Sequence, residues 1–309
     1  MAHVEDRSIN ATVNTAGPAN ASVSLGAVSR VAVATADDTH AAGRLFWYRE
    51  VAAVLSFYFG YSMIRNLFGS NAVDPSVALR NALRVVTVER YVGSFAEADF
   101  QRFFLEWSTP FVRFWNLYYG TLHFVATAGV MVWLFRRRPD IYPRWRNGLA
   151  AMTGLALVGF SLFPLMPPRL LADTGIYGGG DLRFSGFVDT LHQFPTLWSF
   201  NSGTMQSVSN QYAAMPSLHV GWSLWCVAAV LPFVRPLWGR VLVALYVPAT
   251  AFAIVVTANH YWIDALGGLA VFTVGYLIAG RIDYAKGLRR QLPVANRPTA
   301  AGNASTLVD

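Results

Sequence analysis

Six segments of the chain approach the roughly 20 apolar residues that an α-helix needs to cross a bilayer. Their approximate bounds are 46–68, 114–135, 148–166, 217–234, 238–259 and 260–280. The first is the least apolar, since Arg49, Glu50 and Arg65 interrupt its ends. Only 13% of the residues are charged, whereas soluble proteins average roughly 25%. The sequence therefore predicts an all-α integral membrane bundle of six transmembrane helices.

Clusters of basic residues predict how this bundle is oriented. The segment 136–146 holds five arginines in eleven residues, two more arginines follow the fourth span, and Arg281 begins a basic tail after the sixth. Basic residues are enriched in cytoplasmic loops. We therefore expect a multi-pass protein of the cell membrane with both termini cytoplasmic, and the loops 69–113 and 167–216 on the extracytoplasmic side.

The overall charge agrees with a membrane environment. The formal net charge is +7, and arginine carries nearly all of it because Lys286 is the only lysine. These arginines lie beside the apolar segments, which is typical of contact with anionic lipid headgroups. We expect the lipid bilayer as a partner and no nucleic acid. The single cysteine, Cys226, excludes an intrachain disulfide.

The remaining segments divide the chain into a membrane domain, 44–284, and two tails. The tail 1–43 is rich in Ala, Ser, Thr, Val and Asn without periodicity and is predicted to be disordered, as is the basic-to-polar tail 285–309. In the first outer loop, Asp74 followed by proline is typical of a helix start, so we expect an amphipathic surface segment there. The long loop 167–216 is typical of a lid or binding element.

The stretch MPSLH, 215–219, opens the fourth span with unusual residues. Serine is favoured as an N-cap, and a preceding proline stops a helix running in from before it. A helix beginning at Ser217 presents free N–H groups to an anion, and His219 in its first turn is placed to donate a proton. Taken alone, the motif is better explained by a capping serine with an interfacial histidine than by an anion site.

The stretch NHYWID, 259–264, opens the sixth span. His260 and Asp264 are four residues apart and share one face if both are helical. A carboxylate beside an imidazole fixes its tautomer and leaves the other nitrogen free to attack. A charged residue at a span is functional by default, although a purely structural His–Asp hydrogen bond remains the alternative.

A third motif, PPR, ends the third span at Arg169. The planar guanidinium suits a phosphate better than an ammonium does, but a contact with a lipid headgroup is an equally good explanation of this residue alone. Under the predicted topology, the PPR, PSLH and HYWID motifs lie at one membrane face. Two histidines, an acid, an arginine and a helix N-terminus together indicate phosphoryl transfer.

These motifs resemble the signature motifs of the type 2 phosphatidic acid phosphatase superfamily. The stretches MPSLHVGW and NHYWIDALGG, with PPR upstream, are most similar to the inositol phosphorylceramide synthase branch and its bacterial members. The enzymes of this branch are inositolphosphotransferases. The resemblance covers roughly residues 110–280. It implies a membrane-embedded enzyme that cleaves a lipid phosphate or phospholipid through a phosphohistidine, with water or a polyol such as inositol as acceptor.

The resemblance also implies roles for individual residues. His260 is the expected nucleophile, Asp264 orients it, and His219 is the acid for the leaving group and then the base for the acceptor. The expected ligands of the phosphate are Arg169, Ser217 and Asn259. Candidates for lining the cavity are His123, Tyr212 and Tyr261, although an interhelical hydrogen bond explains His123 equally well. The family needs no metal and no cofactor for this chemistry.

The sequence departs from the family at its positive charges. The superfamily places a lysine and an arginine in its first motif, whereas Lys286 follows the last span, so Arg169 is the plausible replacement. The arginine that usually stands six residues before the second histidine is Ile254 here. These departures bear on the phosphate pocket rather than on the histidine pair.

A second hypothesis is a non-catalytic membrane transporter or lipid-binding scaffold, in which polar residues hold helices together. It predicts that His219 and His260 lie apart or bond to different helices, whereas the enzyme hypothesis predicts that they are adjacent. The sequence does not decide between hydrolysis and transfer, because both share the phosphohistidine step.

Overall fold

The computed structural model describes residues 46–68, 72–195 and 210–291, and for Arg65, Asn66, Phe68 and 287–291 it describes the backbone alone. The predicted tail 1–43 and the residues after 291 lie outside these ranges, as does part of the loop 167–216. The described residues from Trp47 onward belong to one compact unit. They contain no β-strand, only an isolated bridge between Leu165 and Ala213.

The described residues of this unit form ten α-helices. In chain order they are α1 (Trp47–Phe68), α2 (Pro75–Tyr91), α3 (Glu97–Trp107), α4 (Thr109–Arg137), α5 (Tyr142–Leu162), α6 (Thr190–Gln193), α7 (Leu218–Val230), α8 (Leu237–Ala244), α9 (Tyr246–Val256) and α10 (Trp262–Gln291). The all-α prediction is thus confirmed for the described chain. Helix α10 continues past residue 284 to Gln291, and the domain bounds 44–284 stay a prediction.

Three stretches of the described chain are helical and apolar over a length that can cross a membrane. They are Thr109–Arg137, Leu237–Val256 and Trp262–Lys286. The second consists of α8 and α9, which meet at Leu245. The finding supports a multi-pass membrane protein, while the number of six spans and the side of the termini remain predictions.

The predicted start of a helix after Asp74 is confirmed. The Asp74 carboxylate accepts a hydrogen bond from the Ser76 N–H at 2.8 Å, and proline occupies the first helical position of α2. One face of α2, from Ala78 to Val86, packs on the loop that follows α5 and on Tyr212 and Tyr261. The segment before α4 therefore covers the end of the bundle at which α5 ends and α7 begins, which we call the site end.

The last helix packs most extensively against α5, and glycines permit the close approach. A Cβ on Gly275 would lie 2.8 Å from the Met152 nitrogen, and one on Gly268 would lie 2.4 Å from the Ser217 carbonyl oxygen. A Cβ on Gly267 would meet Pro216. Gly267 and Gly268 thus allow the PSLH motif to pack directly against the backbone of α10.

Candidate active site

His260 lies at the site end, between α9 and α10, and is 3% exposed. Its Nδ1 contacts the Ala214 carbonyl oxygen at 2.8 Å and Asp264 Oδ2 at 3.2 Å. A carbonyl oxygen only accepts hydrogen bonds, so Nδ1 carries the proton. The lone pair of His260 is therefore on Nε2, which is the arrangement that a nucleophilic imidazole requires.

The predicted pairing of His260 with Asp264 is present, but not for the helical reason given for it. Helix α10 begins at Trp262, so His260 precedes the helix. Asp264 lies in the first turn, fully buried, and its Oδ2 also accepts a hydrogen bond from the Tyr261 N–H at 2.9 Å. One carboxylate oxygen thus both caps α10 and holds the imidazole.

The chain turns sharply before His260. Ala258 adopts a left-handed conformation with φ +52°, which costs a non-glycine residue on the order of 1 kcal/mol. Its carbonyl oxygen accepts a hydrogen bond from the Arg169 N–H at 2.9 Å. Strained backbone of this kind clusters at functional sites, and here it joins the PPR and HYWID motifs.

His219 is adjacent to His260. Their ring centroids are 5.5 Å apart. The His219 ring contacts two residues of α4. It stacks on Tyr119 with ring centroids 4.3 Å apart and planes 18° apart, and its centroid lies 4.1 Å from that of the His123 ring. His123 Nδ1 contacts the Tyr119 carbonyl oxygen at 3.0 Å. His123 is thus a neighbour of His219 and does not face the polar cavity described below.

Arg169 is held by three side chains. Its Nε donates to Asn259 Oδ1 at 2.8 Å, one terminal nitrogen donates to Asp189 Oδ2 at 2.8 Å, and the other donates to Gln211 Oε1 at 2.6 Å. Arg169 as a whole residue is 8% exposed. Asn259 itself donates to the Thr257 carbonyl oxygen. This network fixes the guanidinium plane at the site end.

Arg169, Asn259 and His260 line one small polar cavity. The complete lining is Tyr119, Pro167, Arg169, Asn210, Gln211, Ala213, Ala214, Asn259 and His260. The PPR and HYWID motifs and the segment before PSLH therefore meet, as the sequence predicts. The other residues expected at the site are not in this lining, namely His123, Ser217, His219, Asp264, Tyr212 and Tyr261. The two tyrosines are fully buried in the core beneath α2.

Ser217 occupies the N-cap position of α7, as predicted, but its side chain makes no capping hydrogen bond. The Oγ atom is buried and has no hydrogen-bond partner among the described residues. The Ser217 N–H donates to the Asp264 carbonyl oxygen at 3.0 Å. Ser217 therefore joins α7 to α10, and its hydroxyl is not committed to either helix.

Two glutamates of the covering helices reach the start of α10. Glu97 Oε1 accepts a hydrogen bond from the Trp262 N–H at 3.3 Å, and Glu89 Oε1 accepts one from the Ile263 N–H at 2.9 Å. Both side chains are buried. Burial away from water, followed by the contact with Glu97, raises the pKa of the Glu89 carboxyl to about 9.

The structure adds residues that the motifs do not contain. Tyr119, Asp189, Gln211, Glu89 and Glu97 all contact predicted site residues or their helix. Of these residues, only the two glutamates could have been found from the sequence. An acid on the apolar face of a helix stands out because acids are rarely buried unless paired, but this requires the faces of α2 and α3 to be assigned first. Within the described ranges, no group of three or more His, Cys, Asp or Glu side chains is arranged to hold a metal ion.

The fold and the site together define a helical membrane protein in which a held arginine and His260 line one cavity, with a second histidine and an acid next to His260. A family profile described as the PAP2 superfamily matches residues 83–278. The chain belongs to this superfamily. Membership supports a lipid phosphatase-type fold and the general activity of a phosphatase. No curated protein and no solved structure matched the chain significantly.

Proposed function

We propose that this protein is a membrane-embedded lipid phosphatase or phosphotransferase that works through a phosphohistidine on His260. The proposal rests on the contacts of His260 Nδ1 with the Ala214 carbonyl oxygen and Asp264. These contacts hold the proton on Nδ1 and leave the lone pair of Nε2 available to attack. The substrate is a lipid phosphate or phosphodiester of the bilayer. We place the site on the extracytoplasmic side, from the distribution of arginines alone.

In the first step, His260 Nε2 attacks phosphorus and the bond from phosphorus to the lipid oxygen breaks. His219 donates a proton to that leaving oxygen, and Asp264 stabilises the positive charge that develops on His260. Arg169, with its plane fixed by Asn259, Asp189 and Gln211, stabilises the negative charge on the phosphoryl oxygens. The separation of 5.5 Å between the histidine rings suits a phosphoryl group that contacts both.

In the second step, an acceptor hydroxyl loses its proton to His219 and attacks phosphorus, and the bond from phosphorus to Nε2 breaks. Water as acceptor gives a phosphatase, and a polyol gives a phosphotransferase. The resemblance to the inositol phosphorylceramide synthase branch favours inositol as a candidate polyol. The balance between the two outcomes depends on which acceptor occupies the polar cavity.

The test is turnover by the purified protein in detergent with EDTA present. The substrates are lipid phosphates and phosphatidylinositol, with labelled inositol added in parallel reactions. We expect His260→Ala to lower the rate by roughly 10³-fold or more, because the nucleophile is lost. Free phosphate would indicate a phosphatase, and labelled lipid would indicate a phosphotransferase.

The matched control is His192→Ala, which removes an exposed histidine of α6. We expect its rate to equal that of the wild type. Equal rates for His260→Ala and the wild type would remove His260 as the nucleophile and contradict the proposal.

The alternative of a non-catalytic transporter or scaffold predicts that His219 and His260 lie apart or bond to different helices. The contact between the His219 and His260 rings and their shared neighbour Tyr119 favour the enzyme instead. A site built only to hold helices together also gains nothing from a cavity lined by Arg169 and His260.

A further inference from the structure

Three acids surround the first turn of α10. Their carboxylates accept hydrogen bonds from three successive N–H groups, namely those of Tyr261, Trp262 and Ile263. The acids are Asp264 of α10 itself, Glu97 of α3 and Glu89 of α2. Negative charge is favourable at a helix N-terminus, but three buried charges also repel one another.

The two glutamates have one oxygen each to spare. Glu89 Oε2 and Glu97 Oε2 are buried and have no hydrogen-bond partner among the atoms that the structure describes. A buried charged oxygen without a donor is costly. A proton on Glu89 removes one charge and supplies a donor for Glu97, so that each spare oxygen gains a partner.

The groups around Glu89 supply no compensating positive charge. The ionisable side chains that act on it are Glu97 from α3 and Asp264 from α10, and both are acids. Tyr261 carries no positive charge, and its hydroxyl donates a hydrogen bond to the Met166 carbonyl oxygen at 3.0 Å. His260 is bonded to Asp264 and not to either glutamate.

We propose that Glu89 and Glu97 share one proton, and that this pair of one neutral and one charged carboxyl group holds the first turn of α10 and thereby positions His260. The second clause rests on the phosphoryl transfer proposed above, whereas the shared proton does not. Glu89 and Glu97 are positioning residues in this proposal, because they reach His260 only through the backbone of residues 261–263.

Substitution by glutamine distinguishes a proton-bearing carboxyl from a charged one. In Glu89→Gln, the amide oxygen can still accept from the Ile263 N–H, and the amide nitrogen can donate to Glu97. In Glu89→Ala, both contacts are lost. Glutamine therefore mimics the protonated state at every pH, and Glu106→Gln, at an exposed position of α3, is the matched control.

The shared proton makes stability depend on pH in a definite direction. The Glu89 pKa in the folded protein, about 9, lies above its ordinary value of 4.5. Between these two values, the folded state keeps a proton that the unfolded state releases, so stability falls as the pH rises and then levels off above about 9. We expect Glu89→Gln to lack this fall and Glu106→Gln to retain it.

The first measurement is the unfolding temperature of each variant in detergent across this pH range. The unfolding temperature of Glu89→Gln should rise relative to the wild type as the pH increases. The second is an infrared difference spectrum of wild type minus Glu89→Gln near pH 7, which should contain the carbonyl stretch of a protonated carboxylic acid. Parallel pH profiles, or a spectrum without that band, would overturn the shared proton.

The third measurement tests the positioning of His260. We expect Glu89→Ala to lower kcat by about 10-fold or more with little change in KM, because small displacements of a reacting group are costly. Glu89→Gln should restore most of that loss and should keep its kcat above pH 9, where the wild type declines. An unchanged kcat in a folded Glu89→Ala variant would overturn the positioning role.

Failure of the two proposals can be told apart. If the wild type turns over no substrate, the proposed function fails, but the infrared band and the pH dependence of unfolding still decide whether the proton is shared.

Discussion

At the scale of single residues, His260 is held by two acceptors of different kinds. The Ala214 carbonyl is neutral and selects the tautomer, whereas Asp264 supplies the negative charge that stabilises an imidazolium. In a site where one carboxylate both selects the tautomer and supplies the negative charge, loss of that carboxylate abolishes the two contributions together. Here the two contributions are separable.

This separation predicts a limited effect of Asp264→Asn. The Ala214 carbonyl still holds the proton on Nδ1, so we expect kcat to fall by about 10²-fold, which is less than the roughly 10⁴-fold loss seen where one carboxylate sets both the tautomer and the charge. The measurement is phosphate release by the purified variant beside His260→Ala. A loss as large as that of His260→Ala would show that Ala214 does not maintain the tautomer.

At the scale of elements, the site depends on how closely α7 approaches α10. His219 belongs to α7, while Asp264 belongs to α10 and holds His260 just before that helix. The two helices touch where Gly268 faces the Ser217 carbonyl oxygen. The distance between the histidines is therefore set by a residue that is not part of the chemistry.

The close approach predicts that Gly268→Ala impairs both stability and activity. The new Cβ would lie 2.4 Å from a backbone oxygen, so one helix has to move. We expect a loss of about 1–3 kcal/mol in the free energy of unfolding and, from the displaced histidines, a fall of about 10²-fold in kcat.

Gly129→Ala is the matched control for this substitution. Gly129 lies within α4, and a Cβ there meets no atom within 4 Å. Alanine in a helix interior is favoured over glycine by roughly 0.5–1 kcal/mol, so we expect unchanged activity and equal or greater stability. Similar losses in both variants would contradict the helix contact as the cause.

At the scale of the whole molecule, the predicted topology places residues 136–146 and the loop 167–216 on opposite sides of the membrane. The single cysteine, Cys226, is buried, so a Cys226→Ser variant is a suitable background for labelling. We expect an impermeant maleimide to label Leu182→Cys in intact cells and Asp140→Cys only after lysis. Labelling of both in intact cells would contradict the orientation.

Much of the site was predictable because its motifs are local. PSLH and HYWID each hold their chemistry within six residues, and apolar segments on either side indicate where each one lies in the bundle. Their meeting was expected from the predicted topology. The shared helical face expected for His260 and Asp264 was wrong, since Ala258 turns the chain and α10 begins at Trp262, two residues after His260.

The sequence by itself determined the all-α class, the apolar segments and the two histidines with their acid, because hydropathy and motif spacing are properties of short stretches. Only the tertiary structure decided that Ala214 selects the tautomer, that Asp189 and Gln211 hold Arg169, and which acids cap α10. Glu89 and Ile263 are 174 residues apart in the chain. Contacts at such separations depend on how whole helices pack, and periodicity within one helix reports only that some face is buried.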